Sequence, residues 1–314
     1  MKEIVVSVDL PAGEKMEIKK NRMLPLDYEA KKKVPRACIV TGIHGDELEG
    51  QYVCYQLVKR IKENRHLLKG IVDVYPALNP LGVDSISRGV PTFDLDMNRI
   101  FPGNPDGHVI EYVAQKIVDD IVGSDMCIDV HSSNIFLREI PQVRINEISA
   151  QQLIPYARML NVDFIWVHSS ATVLESTLAY SLNARNVPTL VVEMGVGMRI
   201  TYDYCNSLVE GIFNLLREMQ IWTGVTKKIK EPIISVDGKV SFLNAEKSGI
   251  FVPRARHGEN IEQGEVIGKI LNPLTGEIEQ RIIAPCDGLI FTLREYPVVY
   301  PGSLLARVLG GERQ

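Results

Sequence analysis

Short apolar runs alternate with amphipathic segments between residues 36 and 225. Five runs are almost wholly apolar, which is typical of strands buried on both faces of a sheet. They read "ACIVTG", "IVDVYPA", "MCIDVH", "FIWVH" and "TLVVEMG". The segments that follow them carry apolar residues at helical spacing; they are "QYVCYQLVKRIKEN", "GHVIEYVAQKIVDDIVG", "ISAQQLIPYARML", "TVLESTLAYSLNARN" and "DYCNSLVEGIFNLLREM". This alternation predicts an α/β sandwich with a largely parallel sheet.

The pattern changes near residue 230, where short strand-like stretches with repeated Gly and Pro replace the helical segments. This change predicts a separate small all-β domain at residues 231–314. The start of the chain predicts a β-hairpin around "PAGE". We assign that hairpin to the larger domain, at residues 1–230.

Composition narrows the classes of partner. The chain has 314 residues, of which 45% are hydrophobic, enough for a proper core. The net charge is -4 and the pI about 5.9, with Lys and Arg scattered, so we expect a small-molecule partner and no nucleic acid. The N-terminal apolar run is too short for a signal peptide or a membrane span, which predicts a cytoplasmic protein without a membrane partner. Five widely spaced cysteines indicate buried thiols rather than disulfides.

Polar residues come directly after each strand-like run. Because ligands bind at the carboxyl ends of strands in open α/β sheets, we expect these residues to converge. They are His44, Asp46, Glu47, Asn79, Asp129, His131, His168 and Glu193.

His44 and Glu47 form an HxxE pair at the turn into the first helical segment. Alone, His44 is typical of a turn with local hydrogen bonds, and Glu47 of a carboxylate at a helix start. His131 changes this interpretation, because it ends an otherwise apolar strand with Asp129 two residues earlier on the same face. Two histidines, one carboxylate and an open position for water are the composition of a catalytic zinc site. We therefore predict that His44, Glu47 and His131 bind a metal ion.

Glu193 ends the apolar strand "PTLVVE". Because an unpaired buried carboxylate is costly, Glu193 either forms a salt bridge or takes part in chemistry. The chemical role is that of a general base, which takes a proton from water and hands it to a leaving amine.

The connection "NPLGVDSISRGVPTFDLDMNRIFPG" is long and carries Arg88, Asn98 and Arg99. An arginine on a shaped loop is suited to binding a carboxylate or stabilising an oxyanion. Either arginine alone is also typical of a solvated surface charge.

Five blocks, in this order, resemble the succinylglutamate desuccinylase/aspartoacylase family, relatives of the zinc carboxypeptidases. The blocks are "GIHGDE", "ALNPLG", "DLDMNRIFPG", "CIDVHSS" and "VVEMGVG". The resemblance implies a carboxypeptidase-like three-layer α/β/α sandwich with a mixed sheet, and makes the larger domain a zinc-hydrolase catalytic domain. It further implies that His44, Glu47 and His131 bind one zinc ion per subunit and that Glu193 is the catalytic acid/base.

The resemblance also implies a substrate class. Asn98 and Arg99 match the pair that binds a substrate carboxylate, and Arg88 matches the arginine that polarises the scissile carbonyl. The implied reaction removes an acyl group, such as acetyl or succinyl, from an N-acyl amino acid or a related small molecule. Aspartoacylases carry a further arginine upstream of the catalytic glutamate, and Arg185 lies too close to the strand to match it. The chain therefore looks closer to desuccinylase-like and N-acetyl-diamino-acid deacetylase-like members.

Other functions and roles stay open from the sequence. A zinc metallocarboxypeptidase acting on peptides shares the same catalytic residues, and a non-catalytic metal- or ligand-binding relative shares the fold. A homo-oligomer is compatible with the sequence. Four residues either line a specificity pocket or are surface and packing residues: Arg138, Arg144, His168 and Arg199.

The C-terminal segment is similar to the barrel-sandwich of biotinyl and lipoyl carriers. Those carriers present a modified lysine at a hairpin tip, whereas the corresponding turn here, "NPLTGE", has none. We therefore expect this domain to form a wall of the active site or an oligomer contact rather than to carry a swinging arm.

Overall fold

The computed structural model describes residues 1–30, 33–168, 175–236 and 240–310. Most of the described chain up to residue 236 builds one sheet with helices on both faces. Its strands are β1 Lys2–Asp9, β2 Lys15–Met23, β3 Arg36–Thr41, β4 Ile71–Tyr75, β5 Met126–Ser132, β6 Leu137–Asn146, β7 Phe164–His168, β8 Thr189–Gly195 and β9 Ile233–Val236. Its helices are α1 Glu49–Glu63, α2 Pro80–Ser85, α3 Val109–Ile121, α4 Ala150–Ala157, α5 Leu178–Asn183 and α6 Tyr202–Glu218.

These strands are ordered β1-β2-β4-β3-β5-β8-β6-β7-β9 across the sheet. The central strands β4, β3, β5 and β8 are parallel, whereas β2 is antiparallel to β4 and β6 is antiparallel to β8. The sheet is therefore mixed, and the predicted carboxypeptidase-like α/β sandwich is confirmed.

Alternate residues of the buried strands supply two separate cores, one on each face of the sheet. In β3, Ile39 packs in the cluster that contains residues of α1, α4 and α6, while Cys38 and Val40 pack in the cluster that contains residues of α3 and α5. Burial on both faces explains why these strands read as continuous apolar runs. Three layers result, with the sheet in the middle.

The structure differs from the sequence pattern at three places. The pattern does not predict β6, because its sequence "LREIPQVRIN" mixes charged residues with a proline; in the structure, its pairing with β8 shifts register between Glu139 and Gln142. α2 lies in the connection that the sequence pattern predicts to be loop. The helix predicted over residues 172–186 is shorter: α5 begins after Thr177, whose side chain accepts a hydrogen bond from the Tyr180 backbone N–H. Residues 169–174 lie outside the described residues.

The C-terminal segment consists of short strands, and no helix occurs in its described part. The strands are β10 Val240–Asn244, β11 Gly249–Pro253, β12 Asn260–Ile261, β13 Val266–Asn272, β14 Glu277–Ile283, β15 Gly288–Arg294, β16 Val298–Val299 and β17 Leu304–Gly310. β10, β12, β15 and β17 continue the central sheet, because β15 pairs with β6, while β14, β13, β11 and β16 form a second sheet.

The division near residue 230 stays a prediction, and β9 pairs with β7 of the central sheet. The five cysteines are free thiols, four of them buried and Cys286 half-buried, as predicted. No helix in the described part of the chain is long and apolar enough to cross a membrane.

Candidate metal centre and active-site cavity

The carboxyl ends of β3, β5 and β8 meet at one edge of the sheet. Parallel pairing places His131 of β5 beside Glu193 of β8. His44 and Glu47 lie in the turn between β3 and α1, and Gly42 opens that turn with a left-handed φ of 68°. A Cβ at position 42 would lie 3.0 Å from the backbone of Ala77, so the turn needs glycine there.

Three donor side chains converge at this edge. Glu47 Oε1 lies 2.7 Å from Nδ1 of His44, and Glu47 Oε2 lies 3.0 Å from Nδ1 of His131. One potential ligand atom from each residue lies within 4.8 Å of the others, and all three residues are buried. The structure thus brings together the three residues predicted to bind a metal ion.

The second nitrogen of each imidazole faces another carboxylate. Nε2 of His44 lies 3.1 Å from Asp96 Oδ1, and Nε2 of His131 lies 3.1 Å from Asp129 Oδ2. Burial acts to lower the pKa of His44, but Asp96 and Glu47 outweigh it and raise that pKa. Asp129 and Glu47 likewise raise the pKa of His131 well above its usual range against the effect of burial. Burial acts to raise the pKa of Glu47, yet the two imidazoles hold it at about 2.

This environment fits a divalent cation. The negative potential that raises both histidine pKa values also attracts a metal ion, which displaces the protons when it binds. Imidazole nitrogens and a carboxylate oxygen are the ligands that zinc takes, and carboxylates behind ligating histidines fix their orientation. His44, Glu47 and His131 could therefore hold zinc, with Asp96 and Asp129 supporting the two imidazoles.

A cavity of about 570 Å³ opens next to this cluster. Its wall includes both charged and apolar side chains, which suits a small polar molecule with an apolar part. Among the residues that line it are His44, Arg88, Asn98, Arg99, Asp129, His131, Arg144, Ile145, Leu153, His168, Val191 and Glu193.

Glu193 lines the cavity and is mostly buried. Burial raises its pKa to about 7, although Arg144 and His131 act in the opposite direction. Nη1 of Arg144 donates to Glu193 Oε1 over 3.2 Å. Glu193 therefore both forms a salt bridge with Arg144 and lies beside His131.

The connection between β4 and α3 brings three more predicted residues to the cavity. Nη1 of Arg88 donates to Glu47 Oε1 over 3.0 Å. The side-chain oxygen of Asn98 accepts from the Leu178 backbone N–H over 3.0 Å, which fixes Asn98 at the start of α5. Nη1 of Arg99 donates to the Asn98 carbonyl over 2.8 Å. Two cationic side chains thus line the cavity beside His44, Glu47 and His131.

The remaining candidates divide between the cavity and other places. Arg144 and His168 line the cavity. Arg138 instead forms a salt bridge with Glu295, and Arg199 is exposed with Nη1 on the Met198 carbonyl. Neither is among the described residues that line the cavity.

Two residues that follow strands have local roles. Asn79 caps α2, because its side-chain oxygen accepts from the Gly82 backbone N–H over 2.9 Å. The backbone carbonyl of Asp46 accepts from the Met198 N–H over 2.7 Å, and Asp46 is not in the three-residue cluster.

Sequence reasoning missed the contribution of Asp96, and the pairing of Glu193 with Arg144. Asp96 lies inside the quoted block "DLDMNRIFPG", but nothing in its spacing links it to His44, which is 52 residues earlier.

The α/β sandwich with a mixed sheet is a carboxypeptidase-like fold, and a His-Glu-His cluster lies at the carboxyl edge of its sheet. The chain belongs to the succinylglutamate desuccinylase/aspartoacylase family, whose catalytic domain matches residues 33–219. The resemblance found in the sequence is thereby confirmed.

Individual relatives agree with this assignment. The chain is 26% identical over 300 residues to N-alpha-acetyl-L-2,4-diaminobutyric acid deacetylase from Halomonas elongata, which covers 90% of this chain and 84% of the relative. The fold is similar to that of a succinylglutamate desuccinylase/aspartoacylase from Rhodobacter sphaeroides, with a TM-score of 0.81, 21% identity and coverage of 98% and 95% of the two chains. It is also similar to the product-bound ectoine utilization protein EutE (DoeB) from Ruegeria pomeroyi, with a TM-score of 0.83, 19% identity and coverage of 98% and 93%.

Proposed function

We propose that the protein is a zinc-dependent amidohydrolase that removes an acyl group, such as acetyl or succinyl, from an N-acylated amino acid or a related small molecule. The observation that carries this proposal is the cluster of His44, Glu47 and His131 beside Glu193, next to a cavity lined by cationic side chains. A family that contains desuccinylases and aspartoacylases supports the same reaction class.

The proposed reaction uses three residues that would hold zinc and one that would move a proton. His44, Glu47 and His131 would hold zinc, which, when bound, supplies a Lewis acid for the carbonyl and for the attacking water. Glu193 would take a proton from that water as it attacks the amide carbon, and would then give the proton to the leaving amine nitrogen. A carboxylate with a pKa of about 7 is suited to both steps near neutral pH.

The arginines of the cavity would bind the charged parts of the substrate. Arg88 would donate to the oxygen of the scissile carbonyl as negative charge develops on it. Asn98 and Arg99 would hold the substrate carboxylate, for which the planar guanidinium of Arg99 offers two parallel donors. These roles require an acyl amide with a carboxylate nearby, as in an N-acyl amino acid.

The Halomonas relative narrows the choice of first substrates. Its name specifies an acetyl group on the α-nitrogen of 2,4-diaminobutyrate. We propose Nα-acetylated and Nα-succinylated amino acids as the substrate class of this chain, with acetylated diamino acids among them.

A combined zinc and activity assay tests the proposal. The purified chain, loaded with zinc and dialysed, is expected to retain roughly one zinc ion per chain and to release amine from one or more N-acyl amino acids in a panel. The panel includes Nα-acetyl-2,4-diaminobutyrate, N-acetylaspartate, N-succinylglutamate and a peptide with a free carboxyl end.

Matched variants locate the zinc. His131→Ala should lose zinc and activity, whereas the exposed His66, in the 3-10 helix Arg65–Leu67, serves as the control and His66→Ala should keep both. If the chain hydrolyses the peptide faster than the N-acyl amino acids, the proposed deacylase activity is wrong and a carboxypeptidase activity takes its place. Absence of both zinc and hydrolysis would contradict an enzyme altogether.

A further inference from the structure

A row of polar side chains crosses from the C-terminal strands to β6. Thr292 of β15 is paired directly with Arg307 of β17 on one side and with Glu139 of β6 on the other. Residues directly opposite each other in a sheet project from the same face, so these three side chains meet. Arg307 Nη1 and Thr292 Oγ1 both donate to Glu139 Oε1, the hydroxyl over 3.3 Å.

Arg144 extends this row to Glu193. Its Nη2 donates to Glu139 Oε2 over 2.7 Å, and its Nη1 donates to Glu193 Oε1 over 3.2 Å. Because the guanidinium is rigid and planar, a carboxylate that fixes one nitrogen also fixes the direction of the other. The ring of Trp166 supports both cations, since its centroid lies 5.7 Å from Arg144 Cζ and 5.4 Å from Arg307 Cζ.

In this row Glu139 and Thr292 are buried, the other three side chains are partly buried, and the formal charges balance. Glu139 is 1% exposed, so its charge depends on its partners. Arg144 and Glu193 line the cavity, whereas Glu139 and Arg307 are not among the described residues that do. Glu139 thus contacts Arg144 of the cavity wall, and Arg307 contacts Glu139.

We propose that Glu139 and Arg307 are positioning residues for Glu193 and act on it through Arg144. The proposal rests on the proposed role of Glu193 as the general base. A base must lie within about 2.6–3.2 Å of the heavy atom that carries the proton it takes, and a displacement of about 1 Å can cost roughly 100-fold in rate. Arg307 lies on β17 and holds the Glu139 carboxylate that orients Arg144. Through this contact, the C-terminal strands affect the reaction.

The first experiment compares Glu139→Gln with Glu295→Gln. Glu295 pairs with Arg138 near the same contact between β6 and β15, but has no contact with the row. On the best substrate of the panel, Glu139→Gln is expected to lower kcat roughly 10- to 100-fold, with KM changed little and zinc content unchanged. Glu295→Gln should keep the wild-type kcat. A wild-type kcat in folded Glu139→Gln, or an equal loss in both variants, would overturn the proposal.

Two variants at Arg307 decide the question if Glu139→Gln does not fold. Arg307→Lys keeps a positive charge near Glu139 but loses the planar guanidinium, while Arg307→Met loses the charge as well. The expected order of kcat is wild type, then Lys, then Met, with similar KM values. Equal kcat in the wild type and Arg307→Lys would contradict a role for guanidinium geometry and overturn the proposal.

A double-mutant cycle separates this inference from the proposed function. If Glu139 acts through Glu193, Glu139→Gln should lower kcat in the wild type but have little further effect on the residual activity of Glu193→Gln. Full activity in Glu193→Gln would refute the general base and the inference together. An inactive Glu193→Gln with a normal Glu139→Gln would refute the positioning role alone.

Discussion

At the scale of single residues, each candidate ligand is defined by the groups around it. His44 and His131 both turn Nδ1 toward Glu47 and Nε2 toward an aspartate. The Ser132 backbone N–H also donates to Glu47 Oε2 over 3.1 Å, which fixes the carboxylate between the two rings. Ser132, Asp96 and Asp129 therefore hold the three side chains from outside the cluster, which lowers the cost of binding an ion.

Glu193→Gln tests the chemistry at this scale. The amide fills the same volume but cannot take a proton, so we expect kcat to fall by about 10²- to 10⁴-fold, the usual contribution of a general base. Zinc content should stay at the wild-type level, because Glu193 is not in the three-residue cluster.

Steady-state kinetics on the best N-acyl substrate and metal analysis of the same sample check both expectations. Glu210→Gln is the control: Glu210 pairs with Arg60 and Lys227 and is not among the described residues that line the cavity. Normal turnover by Glu193→Gln would remove Glu193 from the mechanism.

At the scale of elements, a partly buried ion cluster attaches the N-terminal hairpin to the sheet and to α3. Lys20 of β2 is 3% exposed, and its Nζ donates to both carboxylate oxygens of Asp120 over 2.8 and 2.7 Å. Asp73 of β4 accepts from Arg22 and Arg36. Lys20 also lies 3.6 Å from Asp73, so the ion pairs of Asp73 and Asp120 connect β2, β4 and α3.

The stability of this junction should depend on pH. Burial acts to raise the pKa of Asp120, but the hydrogen bonds from Lys20 and Tyr75 outweigh it and hold the pKa below its usual value. A carboxyl whose pKa is lower in the folded state adds stability above its unfolded pKa of about 3.9, and loses that contribution as the pH falls through the folded value.

Asp120→Asn is therefore expected to lower the free energy of unfolding at pH 7 by about 1–2 kcal/mol, because charge-assisted hydrogen bonds are lost and partial exposure screens the rest. The deficit should shrink below about pH 4. Urea unfolding at a series of pH values measures it. Asp119→Asn is the matched control, since Asp119 is the exposed neighbour on α3 with a hydrogen bond from Gln115. An equal, pH-independent loss in both variants would contradict the proposed ion pair.

At the scale of the whole molecule, the central sheet and the C-terminal strands share buried residues. Phe164 and Trp166 of β7 pack with Phe291 of β15, with ring centroids 5.1 and 5.4 Å away. Ile140 and Leu309 complete this cluster, and β6 pairs with β15 above it. Separating the C-terminal strands would expose these side chains, so the described chain should unfold as one unit.

The two tryptophans test cooperative unfolding directly. Trp222 lies in the core formed with α1 and α6, and Trp166 lies in the cluster shared with the C-terminal strands. Trp222→Phe leaves Trp166 as the reporter, and Trp166→Phe leaves Trp222.

Thermal unfolding followed by fluorescence and by circular dichroism should give, within each variant, the same midpoint for both signals. If the midpoint temperature differs between the two variants, the difference should be the same by fluorescence and by circular dichroism. A fluorescence transition at a clearly different temperature from the loss of secondary structure would indicate that the two regions unfold separately.

Much of this structure follows from local sequence patterns. Apolar runs predict the strands β3, β4, β5, β7 and β8, because strands buried on both faces are built mostly of apolar residues. The N-terminal hairpin and α1, α3 and α6 follow in the same way from alternation, turn residues and helical spacing. The rule that strand ends form ligand sites then selected His44, Glu47, His131 and Glu193 from the sequence.

Other features depend on contacts between residues that are distant in the chain. β6 carries Glu139 and Arg144, whose charges look like those of a surface segment until Arg307 and Glu193 are seen to pair with them. The contact between His44 and Asp96 also joins residues far apart in sequence. The same is true of the pairing between β6 and β15, which attaches the C-terminal strands to the central sheet.

The fold class, the family and the residues of the candidate metal centre can thus be predicted from the amino-acid sequence, because hydrophobic period and short motifs act over a few neighbouring positions. The groups that pair with Glu193 and the two histidines are visible only in the folded chain, because the energy of a buried charge is set by the partners that folding brings to it.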